Sequence, residues 1–189
     1  TEAINNWGKC RTGAITMYGA GVGVYGNSGY AYTGSTPSKL KKRIEEANSS
    51  NAEITDINIT ENGNYVIILG GSGYWTLGYP DAFLKKLEQY RTGDLRDDNI
   101  LSACFNDRGE WVVITDKHYS YSNETIKNFI LKAEELYEEV YYAYITNYGM
   151  IACCKNGVYY KNIPSNLAEA LKKLTFKPKV IKFTDNGLY

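Results

Sequence analysis

The chain has 189 residues, and 21 lysines and arginines balance 21 aspartates and glutamates, for a formal net charge of zero. That length can bury a sizeable core, and the neutral balance removes the simplest argument for nucleic acid or an anionic membrane as partner. No run of 18 apolar residues occurs, so no membrane-inserted helix is expected.

Tyrosine is over-represented, with 18 against 5 Phe and 3 Trp. Its apolar body and polar tip suit half-buried strand faces and wet interfaces. The chain begins at Thr1, so either a leader has been removed or this is an excised region, and its sequons at Asn48, Asn58 and Asn123 carry weight only in a eukaryotic secreted protein; the location stays open, with secreted or cell-surface favoured. Cys10, Cys104, Cys153 and Cys154 form no CxxC pairs, so they read as small buried hydrophobes rather than zinc ligands. A Cys10–Cys104 bridge is compatible with the count. Cys153 and Cys154 are adjacent in a strand and therefore point to opposite faces.

Taken in chain order, the elements repeat. "AITMY" (14–18), "VGVYG" (22–26) and "YAYTG" (30–34) read as strands A, B and C joined by glycine turns. Thr36 is then an N-cap and Pro37 a first helical residue, with Leu40 and Ile44 facing the core. The second unit gives "ITDINIT" (54–60), the hairpin pair Asn62-Gly63, "YVIILG" (65–70) and "YWTLG" (74–78). Pro80 opens its helix, which places Phe83, Leu84, Leu87 and Tyr90 at helical spacing.

The third unit follows as "ILSACF", "WVVIT" and "HYSYS". Its helix has a stripe of Ile126, Phe129, Ile130, Ala133, Leu136, Tyr137 and Val140. The fourth runs "YYAYIT", "MIACC", "VYYKN", Pro164 and a helix with Leu167, Ala170, Leu171 and Leu174. "KVIKFTDNGLY" (179–189) begins a fifth copy. A unit of about 40 residues buries little alone, so the copies must pack on each other.

These spacings predict an α+β fold of four tandem βββα repeats in a single domain over 1–189, with units at about 14–51, 52–94, 95–139 and 140–178. The layout is propeller-like or ring-like if the C-terminal strand closes it, and an open stack if that strand caps it. Closure would remove exposed strand edges.

Residues 111–114, 65–69, 73–75 and 156–160 carry the pattern "G-aromatic-V-V/I … NG-Y … P … L". That pattern resembles repeats of bacterial propeller-like proteins without an assigned function. The resemblance implies the layout and no catalytic residues.

The motifs with chemical associations read as structure. "GVGVYG" (21–26) matches GxGxxG but lies within a strand and leads into a hairpin rather than a helix, so it is not a dinucleotide loop. His118, the only histidine, stands where other units have Gly29, Gly73 and Gly157, an exposed turn position. Ser120 and Asp116 lie near it in sequence, with nothing to orient the three as a triad. "DLRDD" (94–98) lacks EF-hand spacing and reads as a solvated loop.

One comparison between units does suggest a site. Tyr30, Tyr74, Tyr119 and Val158 are equivalent, as are Tyr32, Thr76, Tyr121 and Tyr160, on one strand face. Between them, on the other face, lie Ala31, Trp75, Ser120 and Tyr159. The near-uniform positions read as core and the variable position as surface. Trp75 and Tyr159 are therefore the expected binding aromatics, facing solvent. The function this favours is a non-catalytic binding or interaction module for a protein or glycan, with no cofactor and no metal. A hydrolase with a carboxylate-lined central pocket and a structural segment of a longer array are the alternatives.

Overall fold

The strand A to strand B turn sets the repeat. In the second unit, the Thr60 N–H donates to Asn64 O at 2.8 Å and the Gly63 N–H to Thr60 O at 2.9 Å. Gly63 has φ 80°, a left-handed value that a side chain would strain. The same turn recurs at Gly109, φ 79°. A computed structural model describes residues 10–189 and shows the strands these turns connect.

Four three-stranded antiparallel meanders follow one another, each completed by a helix. They are β1 (Cys10–Ile15), β2 (Gly21–Tyr25), β3 (Gly29–Tyr32) and α1 (Ser38–Ser49); then β4 (Ile54–Ile59), β5 (Tyr65–Leu69), β6 (Tyr74–Leu77) and α2 (Asp81–Thr92). The third set is β7 (Ile100–Phe105), β8 (Trp111–Thr115), β9 (Tyr119–Tyr121) and α3 (Glu124–Tyr137). The fourth is β10 (Val140–Ile145), β11 (Met150–Cys154), β12 (Gly157–Lys161) and α4 (Ser165–Lys172). The α+β repeat architecture is as the spacing predicts.

Several boundaries differ. β1 includes Cys10, and Met17 and Tyr18 belong to the following turn. Pro37, Pro80 and Pro164 stand at the N-cap with ψ of 135°, 138° and 143°, one place before the helix. Thr36 is thus outside α1, and its hydroxyl donates to Gly21 O at 2.9 Å. Asn123 caps α3, accepting from the Ile126 N–H at 3.0 Å. The fully buried part of the α3 stripe ends at Ala133, and Tyr137 packs half-buried on the same core; Leu136 is exposed, Glu138 turns the chain at φ 64°, and Val140 starts β10.

The register shifts near the start of every A strand, between Cys10 and Thr12, Ile54 and Asp56, Ile100 and Ser102, and Val140 and Tyr142. A bulge of this kind re-aims the side chains that follow. Here it turns Thr12, Asp56, Ser102 and Tyr142 into the interior, where all four are buried. Consecutive A strands are then joined by side chains rather than by a shared ladder. The Asp56 carboxylate accepts from the Thr12 hydroxyl at 3.2 Å and from the Ala103 N–H at 3.2 Å, and Ser102 Oγ accepts from the Ala143 N–H at 3.1 Å.

Each of the first three helices lies between its own sheet and the next. Leu40, Ile44 and Ala47 of α1 pack with Val22 and Val24 on one side and Ile57, Tyr65 and Ile67 on the other. Phe83, Leu87 and Tyr90 of α2 join Val66 and Ile68 to Ala103, Trp111 and Val113. Strand β5 therefore buries both faces, which is why its sequence is almost wholly apolar.

After α4, residues 179–184 take no strand pairing, although the turn at 184–188 re-forms, with the Thr184 N–H donating to Leu188 O at 2.9 Å. Phe183 meets Tyr144 edge-on at 5.7 Å, and the Tyr141 hydroxyl donates to Pro178 O. Pairing among the described residues stays within units.

Candidate binding groove

Strand β6 is the outer strand of its sheet and runs between α1 and α2. Alternation sends its residues to different helices. Trp75 packs with the cluster built on α1, under Arg43, whose guanidinium lies 5.3 Å from the indole ring centre. Tyr74 packs with the cluster built on α2; its hydroxyl donates to Glu88, and Arg91 lies 5.3 Å from its ring. Burial, and then the Glu88 carboxylate, push the Tyr74 phenol well above its ordinary pKa.

The two helices and the strand enclose a groove of about 490 Å³. That size suits a small ligand or a short chain segment. Tyr65, Trp75 and Tyr79 give it aromatic walls, and Lys39, Lys42, Arg43 and Arg91 set four cations against Glu46 and Glu88. Arg43 is held by Glu46 at 2.7 Å and Arg91 by Glu88 at 3.0 Å. Lys39 and Lys42 are exposed and form no ion pair among the described residues.

The expected opposition of Tyr74 and Trp75 is therefore present, but neither faces solvent freely; both are half-buried. Tyr159 is half-buried too, its ring 5.0 Å from that of Phe129 on α3. It lies in the fourth unit and Trp75 in the second, so the two aromatics belong to separate places. The variable position is the contact with the preceding helix. Trp75 meets Arg43, the Ser120 hydroxyl lies 2.7 Å from the Tyr90 hydroxyl, and Tyr159 meets Phe129. The side chain varies because its partner does.

A second feature lies where the A–B turns converge. The Met17 N–H donates to Glu61 at 2.8 Å, the Asn62 N–H to Asp107 at 3.3 Å, and the Asp107 N–H to Asn147 at 3.2 Å; the Thr146 hydroxyl donates to Asp185. Each turn thus holds the second turn residue of the next unit. Burial, followed by the nearby Asp185 and Asp107 charges, raises the Glu61 pKa, against a lowering by the Met17 N–H. The turns surround a cavity of about 20 Å³. Single-sequence reading misses this set because its members are spread from Met17 to Asp185 and none forms a motif.

The remaining candidates stay apart. His118 is exposed, as expected of a turn, but Asp98 of the supposed solvated loop is 5 % exposed and accepts from its ring at 2.6 Å. Asp116 instead binds Asn99 and Ser120 meets Tyr90, so the residues near His118 assemble no triad. "GVGVYG" is strand β2 and the turn after it. All four cysteines are free thiols and only Cys10 is exposed, so Cys10 and Cys104 are not bridged. Asn58 is buried, which withdraws its sequon from modification in the folded chain. No helix among the described residues is long and apolar enough to cross a membrane. Neither a family model nor a curated protein matches the chain.

Proposed function

We propose that this protein is a non-catalytic binding module whose ligand lies along β6 in the groove between α1 and α2. The observation that supports this reading is the combination of size, aromatic wall and excess cation in one groove. Of the two partner classes, protein and glycan, a protein segment with acidic side chains suits it better. The Trp75 ring face is already covered by Arg43, leaving little room for a stacked sugar. The outer strand offers a backbone edge for an extended peptide, with Lys39 and Lys42 beside it to meet carboxylates. The hydrolase alternative would work at the turn-end carboxylates, where about 20 Å³ admits a water or an ion and no substrate.

The test is a peptide array and a glycan array probed with the full chain and with Lys42→Glu, which alters an exposed residue and leaves the core intact. Acidic peptides retained by the parent and lost by the variant support the reading. Retention of neutral glycans, or hits indifferent to Lys42, would count against it.

A further inference from the structure

The turn-end cavity carries an inference independent of the groove. Among the described residues, four buried side-chain polar atoms lack a hydrogen-bond partner, and three of them belong to residues lining this one cavity: Asn58 Oδ1, Thr60 Oγ1 and Asp107 Oδ1. Asn58 is 4 % exposed and Thr60 is 8 % exposed. Native interiors seldom leave such groups unmet. Asn58 already spends its amide N–H groups, donating to Asp56 at 2.8 Å and to Ala103 O at 2.6 Å, so its free oxygen can only accept. The Asp107 oxygen likewise only accepts, and the carboxylates of Glu61 and Asp185 line the same cavity.

One water would donate to the Asn58 and Asp107 oxygens and accept from the Thr60 hydroxyl, but it would leave the charges of Asp107, Glu61 and Asp185 around the cavity without a counter-ion, which a cation supplies. The volume fits one ion. No three acidic, imidazole or thiol side chains among the described residues are grouped as an all-charged metal site. The oxygens here are mixed: an amide, a hydroxyl and carboxylates. That mixture suits a hard cation with a flexible shell, calcium rather than zinc, and magnesium less well because of its strict octahedral geometry.

We propose that Asn58, Thr60 and Asp107 bind a calcium ion that ties together the A–B turns of the second and third units, in a cavity that Glu61 and Asp185 also line. A single charged ligand and a partly open cavity place the affinity in the weak range, with Kd on the order of 0.1–1 mM.

The experiment is thermal unfolding of the EDTA-dialysed full chain against calcium chloride, with magnesium and potassium chloride arms at matched ionic strength. Tyrosine-sensitised terbium luminescence gives a second readout, since Tyr144 lines the cavity. Calcium at roughly tenfold over Kd is expected to raise Tm by about 3–6 °C. Asp107→Asn, which keeps the shape, should lose most of that shift and of the terbium signal while remaining as stable as the parent without ion. Thr60→Val provides the same comparison should the first variant fold poorly. No calcium shift up to 10 mM, equal shifts with magnesium, or an undiminished shift in both variants would each overturn the assignment.

Discussion

Lys182 Nζ lies 2.8 Å from Asp56 Oδ1, and the two side chains, 126 residues apart, are 7 % and 1 % exposed. The ammonium also donates to Ile57 O and lies 5.9 Å from the rings of Tyr142 and Tyr144. The short C-terminal segment thus fastens to the second unit through a buried charge pair, although it adds no ladder bonds. Breaking one side of such a pair leaves the other charge buried and typically costs about 3–5 kcal/mol. Lys182→Met should lose stability of that order in urea unfolding, and Lys182→Met with Asp56→Asn should recover part of it. A loss below about 1 kcal/mol in the single variant would show that the pair contributes little.

The half-buried setting of both β6 aromatics changes what truncation should do. Placed on a solvent face, Trp75 could be removed freely and Tyr74 could not. With the indole packed beneath Arg43 and against the α1 cluster, Trp75→Ala should cost about 2–4 kcal/mol, comparable with Tyr74→Ala. Trp75→Phe should restore more than half of that. Chemical denaturation of the three variants decides it, and an unchanged midpoint for Trp75→Ala would contradict the packing.

Asp98 illustrates a residue hidden by its neighbours in sequence. It sits in an acidic run, yet its carboxylate accepts from the Thr115 hydroxyl at 3.1 Å and faces the His118 ring. Asp98→Ala should destabilise by about 1–3 kcal/mol, since it strips a buried acceptor from several donors. His118→Ala, at an exposed ring, should cost under about 1 kcal/mol. Equal losses would mean that the histidine, rather than the carboxylate, organises the turn.

The repeat was legible because its signals are local: Asn-Gly and Gly turns, two-residue alternation, and prolines before helical spacing. The groove was half legible. Comparing Tyr74 with Trp75 separated the two faces, but a face does not say what covers it, and the C strands of the second, third and fourth units each meet a helix from the unit before. The A-strand bulges escaped because the extra residue carries no special sequence: Arg11, Thr55, Leu101 and Tyr141 share nothing. The turn-end cavity and the Lys182–Asp56 pair escaped for a further reason. Both join residues from distant units, and proximity of that kind appears only when the units stack.

The buried phenols and thiols make a prediction for alkaline pH. Burial pushes the Cys104 and Cys153 thiols up to about 12 and Cys154 to about 11, raises the Tyr119 phenol to about 12, and lifts the Tyr142 and Tyr144 phenols well above their ordinary value. These folded-state values exceed the unfolded ones, so the unfolded chain releases its protons first. The stability these groups contribute is fully present below about pH 9 and is lost as pH rises toward 12, by up to about 1.4 kcal/mol per pH unit for each group titrating only when unfolded. Lys182 works in the opposite sense, because burial lowers its pKa, but it is a single group against six. The expected result is a Tm that falls steeply above pH 9 with delayed tyrosinate absorbance at 295 nm. A flat Tm to pH 11 would mean that these side chains ionise without unfolding.

Thiol reactivity should separate Cys10 from the other three. Its side chain is exposed, whereas Cys104, Cys153 and Cys154 are buried within the packing of the third and fourth units. Only thiolate reacts, and the raised pKa values of the buried three leave almost none of it at neutral pH. With a disulfide reagent at pH 7.5 the native chain should give one fast equivalent, and the denatured chain four. The slow equivalents should appear at the rate of opening of the α3 and β11 packing, because Cys154 lies against Ala133 of α3 and Cys153 on the other face of its strand. The Lys182→Met variant, which loosens the segment beside β10 and β11, should accelerate them. Two fast equivalents in the native parent would show that one of the three inner thiols is open to solvent.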